Sequence, residues 1–242
     1  MSHKSDVTAK SDGTPAGART GDVPGATVNS RMTLLLVVIV VTSIAGLAVS
    51  LWYPEPDAAG QFTYDGVAAV REFWWAWHLF AGANLVVGVT ALALAGLRLV
   101  PSRGAVWATV GAGMMWLGAA LYGVGLGGLG TAYLYATAPV LDPASGTALV
   151  QHLGSDFARL YGPVLPGAGL VAIGTVALSV ALWRARSVPR WIPLLAGASI
   201  LATFVVETSG PLGLIVEGPV AISSVAIGWY AWRRRTVTDE QR

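Results

Sequence analysis

The sequence predicts an all-α polytopic transmembrane helical bundle, and three observations carry that prediction. Of the 242 residues, 54% are hydrophobic and only 12% charged, about half the charge a soluble domain carries. Six apolar runs approach or exceed the ~20 residues that a helix needs to cross ~30 Å of hydrocarbon. Arginines flank those runs on alternate sides, as the positive-inside rule requires. Mean hydropathy is +0.61, which excludes a disordered chain. The net charge of +2 excludes a nucleic-acid binder that rests on a basic face. There is no cysteine, so disulfides, thiolate metal centres and cysteine nucleophiles are excluded.

Residues 1–30 are polar, rich in Gly, Ser, Thr, Asp and Lys, and lack a hydrophobic period. They read as a disordered cytoplasmic tail. The first span covers about 32–52, behind Arg31. Ala48-Val49-Ser50 also resembles a signal-peptide cleavage site, but the long charged leader and full-length apolar run favour an uncleaved anchor. A loop with Pro and acidic residues, 53–72, ends in a short helical lead-in to the second span, 73–97. The third span, 105–128, is glycine-rich, with Gly123 and Gly127 at the four-residue spacing that permits close helix contact.

Between the third and fourth spans, 131–162 holds an outer amphipathic surface helix. Asp142-Pro143 is a capping acid followed by proline at the first helical position. Leu149, Val150, Leu153, Phe157 and Leu160 then repeat at helical spacing, with His152, Asp156 and Arg159 on another face. The remaining spans are about 163–183, 191–209 and 211–232, the last two parted only by a Ser-Gly-Pro turn. Residues 236–242 form a second cytoplasmic tail, which leaves 31–235 as the membrane domain.

With both termini inside, cytoplasmic flanks hold Arg31, Arg98, Arg103, Arg184, Arg186, Arg190, Arg233, Arg234 and Arg235. Outer flanks hold Arg71 and Arg159. Tryptophans such as Trp52, Trp74, Trp183 and Trp229 fall near predicted interfaces, as an aromatic belt requires. The expectation is a multi-pass plasma-membrane protein. Residues 88–98 and 174–184 also align as a weak internal repeat, sharing Gly, two Ala, Leu and a final Arg.

Three further stretches carry a resemblance: Tyr161-Gly162-Pro163, the run from Arg184 to Pro189-Arg190-Trp191, and a glycine-rich last hairpin ending in Trp232-Arg233. Over roughly 75–235 the chain resembles uncharacterised actinobacterial six-span integral membrane proteins. The resemblance implies six-span topology and assigns no catalytic residue.

Ionisable groups inside hydrocarbon are costly, which makes them the functional candidates. They are His78 in the second span, Glu207 in the fifth and Glu217 in the sixth, with the amide Asn84 beside them. His78 and Glu217 each lie ~8 Å below the outer end of their spans. His152, Asp156, Arg71 and Arg159 lie near that level. One reading is a hydrated rim where such groups snorkel or pair, for instance Arg71 with Glu217. The other is an outward-facing polar pocket between spans two, five and six, roofed by the amphipathic helix. It would comprise His78, Glu217, Glu207, His152, Asp156, Arg71 and Arg159, with His78 and Glu217 paired across their matched depth.

No cofactor is expected. A divalent metal on His78, His152 and Glu217 has acceptable ligand chemistry, but no close His/Glu spacing supports it. A haem lacks a second histidine inside a span, and Ser223 and Ser224 sit deeper than His78, which disfavours a serine hydrolase. The sequence therefore points to a non-enzymatic accessory, sensor or scaffold protein. Its partners would be membrane lipids, another membrane protein or a second copy of the chain, and not nucleic acid. The alternative is a membrane-embedded enzyme or metal-dependent protein acting at the outer leaflet through His78, Glu207 and Glu217.

Overall fold

The computed structural model describes residues 24–52, 62–206 and 210–239. All regular structure among them is helical: α1 (Pro24–Leu51), α2 (Tyr64–Ala69), α3 (Arg71–Leu99), α4 (Ala105–Ala136), α5 (Pro143–Ser155), α6 (Phe157–Leu160), α7 (Val164–Ala185), α8 (Trp191–Ala202) and α9 (Gly210–Asp239). Five helices are long and apolar enough to cross a membrane: α1, α3, α4, α7 and α9. The fifth expected span, 191–209, is helical only to Ala202. Thr203, Phe204, Val205 and Val206 follow as turns; β-branched and aromatic residues are weak helix formers.

Other boundaries shift the opposite way and lengthen their helices. α1 begins at Pro24 and α9 runs to Asp239, both inside segments read as tails; residues 1–23 and 240–242 lie outside the described residues. α4 continues to Ala136 through residues expected to be loop, because Leu129, Tyr133 and Ala136 are apolar and become buried. At 32 residues it is ~48 Å long, well beyond the hydrocarbon thickness. It extends the bundle at its Ala136 end.

The helices close a ring in the order α1, α3, α4, α7, α8, α9, with α9 back against α1. Large apolar residues such as Leu34, Ile44, Trp116, Ile173 and Ile222 cover the outside, which is the surface that hydrocarbon solvates. The α4–α7 side is the tightest. A Cβ built at Gly118 would stand 2.6 Å from the Gly167 carbonyl oxygen, and one at Gly111 would stand 2.7 Å from that of Gly174. Gly104 lies against the Ala181 backbone in the same way. Positions 104, 111 and 118 thus meet 181, 174 and 167, a seven-residue repeat on both antiparallel helices. Such a repeat keeps one seam in register along the pair at a crossing of about +20°. The expected Gly123–Gly127 contact divides: Gly123 packs on the Gly82 backbone of α3, while Gly127 faces open space.

A second cluster caps the long end. Val67 of α2, Trp74 of α3, Leu129, Tyr133 and Ala136 of α4 and Val150 of α5 are buried together, with Phe62, Leu153, Leu160 and Tyr161 around them. The Tyr161 phenol is pushed above its ordinary range by that burial. The expected amphipathic helix is present but breaks at Asp156, so α5 and α6 are separate. Asp142 caps α5 by accepting from the Ala144 and Ser145 amides at 3.1 and 3.0 Å. The Ser145 hydroxyl, then the Ser145 and Ala144 amides, hold its carboxyl below the ordinary 3.8. Val150 is 3% exposed, turned into protein. The apolar face of α5 covers the ends of α2 and α4.

The seam yields a direct expectation. Gly118→Val forces a branched side chain into the α7 backbone and should destabilise the protein by about 1–3 kcal/mol or prevent folding. Gly127→Val, in open space, should shift thermal unfolding in detergent very little. Equal losses for the two variants would show that the α4–α7 contact is not the tight one.

Candidate functional site

Inside the ring lies a cavity of about 350 Å³. Each surrounding helix gives it one stripe at helical spacing: Ile39, Thr42, Ser43 and Gly46 from α1; Asn84, Gly88 and Leu92 from α3; Glu217, Val220, Ala221 and Ser224 from α9. Met115 and Tyr122 of α4, Ala168, Val171 and Thr175 of α7, and Ala196 and Ile200 of α8 complete the wall. Glycine and alanine at so many of these positions are why space remains.

The cavity is graded along the bundle axis. The Arg234 guanidinium donates to the Leu99 carbonyl (2.9 Å), which levels the arginine-bearing ends of α3 and α9. Counting back from the arginines at 1.5 Å per residue, Asn84 and Glu217 lie ~21–24 Å away and Tyr122 ~28 Å. Ile39, Leu92 and Ala196 lie only ~9–12 Å away by the same count. Asn84, Tyr122 and Glu217 therefore lie toward one end, and Ile39, Leu92 and Ala196 toward the other.

Several polar groups of the wall have their protons committed to backbone. The Thr42 hydroxyl donates to the Val38 carbonyl (2.8 Å), that of Thr175 to Val171 (2.8 Å) and that of Ser223 to Val220 (3.0 Å). Asn84 gives an amide N–H to the Thr42 carbonyl (3.1 Å). With those protons committed to backbone, lone pairs are what the hydroxyls have left to offer. α8 ends here as well, with Thr203 and Phe204 at the wall, and a helix C-terminus carries partial negative charge. The Glu217 carboxyl adds a potential full charge within electrostatic reach of Tyr122. No Lys, Arg or His lines the cavity among the described residues.

The structure separates the residues that the sequence grouped. His78 is fully buried, but between α3 and α4: its Cβ lies against Gly130, and its ring is 4.4 and 4.8 Å from those of Trp74 and Trp77. Nδ1 is 2.8 Å from the Trp74 carbonyl, which can only accept, so the ring proton sits on Nδ1 in the neutral form. Arg71 reaches the Leu134 carbonyl (3.1 Å) and Glu72 (2.9 Å), tying α3 to α4 rather than to Glu217. Asp156 and Arg159 pair with each other at 3.1 Å at the α5–α6 break, and His152 is exposed at the end of α5. Glu207 lies outside the described residues. Among the described residues no three His, Asp or Glu side chains converge as a metal site would require.

α5 does not roof the cavity, because its described contacts are with α2, α4 and α6. Nor do His78 and Glu217 form an ion pair. Both stand seven residues into their helices, yet α3 needs 27 residues to run from Arg71 to Arg98 while α9 needs 24 from Gly210 to Arg234. Their outer ends are thus ~5 Å out of level. Thr42, Tyr122 and Thr175 were not among the expected site residues. Their signal was available in the stripes of small and hydroxyl residues at i, i+3, i+4 and i+7.

A double-mutant cycle distinguishes these geometries. His78→Ala should cost about 2 kcal/mol or more through the cavity it leaves. Combined with Glu217→Gln, it should be additive within about 0.5 kcal/mol, as for residues with no shared partner. Coupling above about 1 kcal/mol in detergent unfolding would restore the pair.

No protein-family model, curated protein or solved structure matches the chain, so the functional argument rests on the cavity itself.

Proposed function

We propose that the chain is a six-span plasma-membrane protein, both termini cytoplasmic, that binds a small cationic amphiphile inside its helix ring. In this reading α8 and the turns after it form a discontinuous fifth span. Irregular backbone at membrane depth is tolerated where it lines a cavity, and Thr203 and Phe204 do so. The arginines at one end set the orientation through the positive-inside rule.

The observation that carries the proposal is Glu217, the one carboxyl that the described residues place on this wall, where Thr42, Thr175 and Ser223 offer lone pairs. An isolated carboxylate in such a place is costly, and a bound ammonium supplies both the counter-charge and the missing donors. The apolar lower wall of Ile39, Leu92 and Ala196 accommodates the hydrocarbon part of the ligand. Binding is favoured over catalysis because the hydroxyls of Thr42, Thr175 and Ser223 donate to their own helices. A sensor or accessory role follows from binding alone. The enzymatic alternative works through His78, Glu207 and Glu217; of these Glu217 lines the cavity, His78 is buried against Gly130 of α4, and Glu207 lies outside the described residues.

Purified protein should be stabilised against thermal unfolding by an alkyl dimethylamine and much less by its uncharged carbon isostere. Glu217→Gln should weaken amine binding about ten- to a hundredfold, the worth of one charge-assisted hydrogen bond. Indifference of the wild type to the amine, or equal binding by the variant, would contradict the proposal.

A further inference from the structure

At the end of the bundle opposite the α5 cap, the 100–104 connection and the α7–α8 turn enclose a second concavity, of about 490 Å³. Arg103, Arg184, Arg186 and Arg190 line it, with Gly104 and Trp183. The cluster is built by the fold. Gly104 adopts a left-handed φ of 87° and lies against the Ala181 backbone, which places Arg103 beside the end of α7. Arg186 closes α7 in a left-handed conformation of its own (φ 51°), unusual for a residue with a side chain. The Arg190 guanidinium sits 5.2 Å over the Trp183 ring, which orients a planar donor fork at the concavity's edge.

Among the described residues nothing acidic balances these charges. Neither 98–106 nor 183–192 contains an Asp or Glu. Among the described residues the ion pairs are Arg71–Glu72 and Asp156–Arg159, both at the other end of the molecule. The C-terminus of α7 offsets about half a unit of charge. The N-termini of α4 and α8, both without a side-chain cap, add positive potential at the same place. Four exposed arginines thus line one concavity with no acidic partner among the described residues.

We propose that this concavity binds a group carrying two phosphates. Guanidinium forks match phosphate oxygens bidentately, and four forks exceed what one phosphate can engage. The volume accommodates a pair of phosphates. Two sources share that chemistry: the headgroup of a bis-phosphate lipid, and a soluble diphosphate. Trp183 and Trp191, both exposed, flank the arginines as interfacial tryptophans flank a headgroup layer.

The experiment uses the full chain in a zwitterionic detergent. Inorganic pyrophosphate and a bis-phosphatidyl glycerolipid are titrated separately, with thermal unfolding and native mass spectrometry as readouts. Stabilisation by the lipid alone identifies the headgroup as ligand, and stabilisation by pyrophosphate identifies a soluble one. Either response should weaken about tenfold in Arg184→Gln and in Arg190→Gln, and fall steeply with added salt. Arg184→Lys, which keeps the charge but loses the fork, should bind at intermediate strength and guards against a folding defect. Arg159→Gln, at the far end, should bind as the wild type does. No response to either ligand, or a response that the Arg184 and Arg190 variants share undiminished, overturns the proposal.

Discussion

Backbone contact between α4 and α7 is the constraint on which the rest of the bundle depends. Inside hydrocarbon, side-chain burial gives helices little reason to associate, since lipid is as apolar as leucine. Close approach of backbones supplies that reason, and only glycine allows it where Gly111 meets Gly174 and Gly118 meets Gly167. The seven-residue period extends this contact along both helices to the Gly104–Ala181 contact. Gly104 is also where the arginine concavity begins. The seam thereby fixes one side of the ring and the loop that closes it.

The cavity follows from the same geometry. With α4 and α7 locked together, α3 is drawn onto α4 through Gly82 and Gly123, and α8 and α9 complete the circuit through small residues. The interior stripes are rich in glycine, alanine, serine and threonine, so the ring closes without filling its centre. Hydroxyls there satisfy their own protons locally, as polar groups in a low-dielectric interior must. What remains is a set of lone pairs and one carboxyl facing a common space. The apolar bulk that a soluble protein would place at its centre lies outside, on residues such as Leu34 and Ile222.

The long helices were legible in the sequence because span length is a one-dimensional signal. The starts of α3, α4, α7 and α8 fall within two residues of expectation, and the Asp142-Pro143 start of α5 matches. What the sequence hid depends on three dimensions. Depth was counted from span ends taken as level, which made His78 and Glu217 look like partners although α3 overshoots α9. The surface helix was read as lying on the outer membrane surface, and Val150 packs on protein because α4 extends far enough to meet it. Glu217 and Asn84 were identified as candidates, since polar residues inside a span stand out singly. Thr42, Tyr122 and Thr175 were not: each is unremarkable alone, and the stripes that carry them become a wall only when six helices bring them together.

The account makes the interior face of α9 wet and polar and the adjoining face lipid-bound, and the chain's lack of cysteine allows this to be read without background. Ser224 lines the cavity, whereas Ile222, two residues away, is 58% exposed on the outside of the ring. The decisive measurement is the reaction of single-cysteine variants at these positions with a small water-soluble thiol reagent, in protein reconstituted into vesicles. Thiolate reactivity requires water. The ring predicts that Ser224→Cys reacts, that the alkyl dimethylamine slows it, and that Ile222→Cys stays inert. A silent Ser224→Cys, or an Ile222→Cys that reacts as fast, would contradict it.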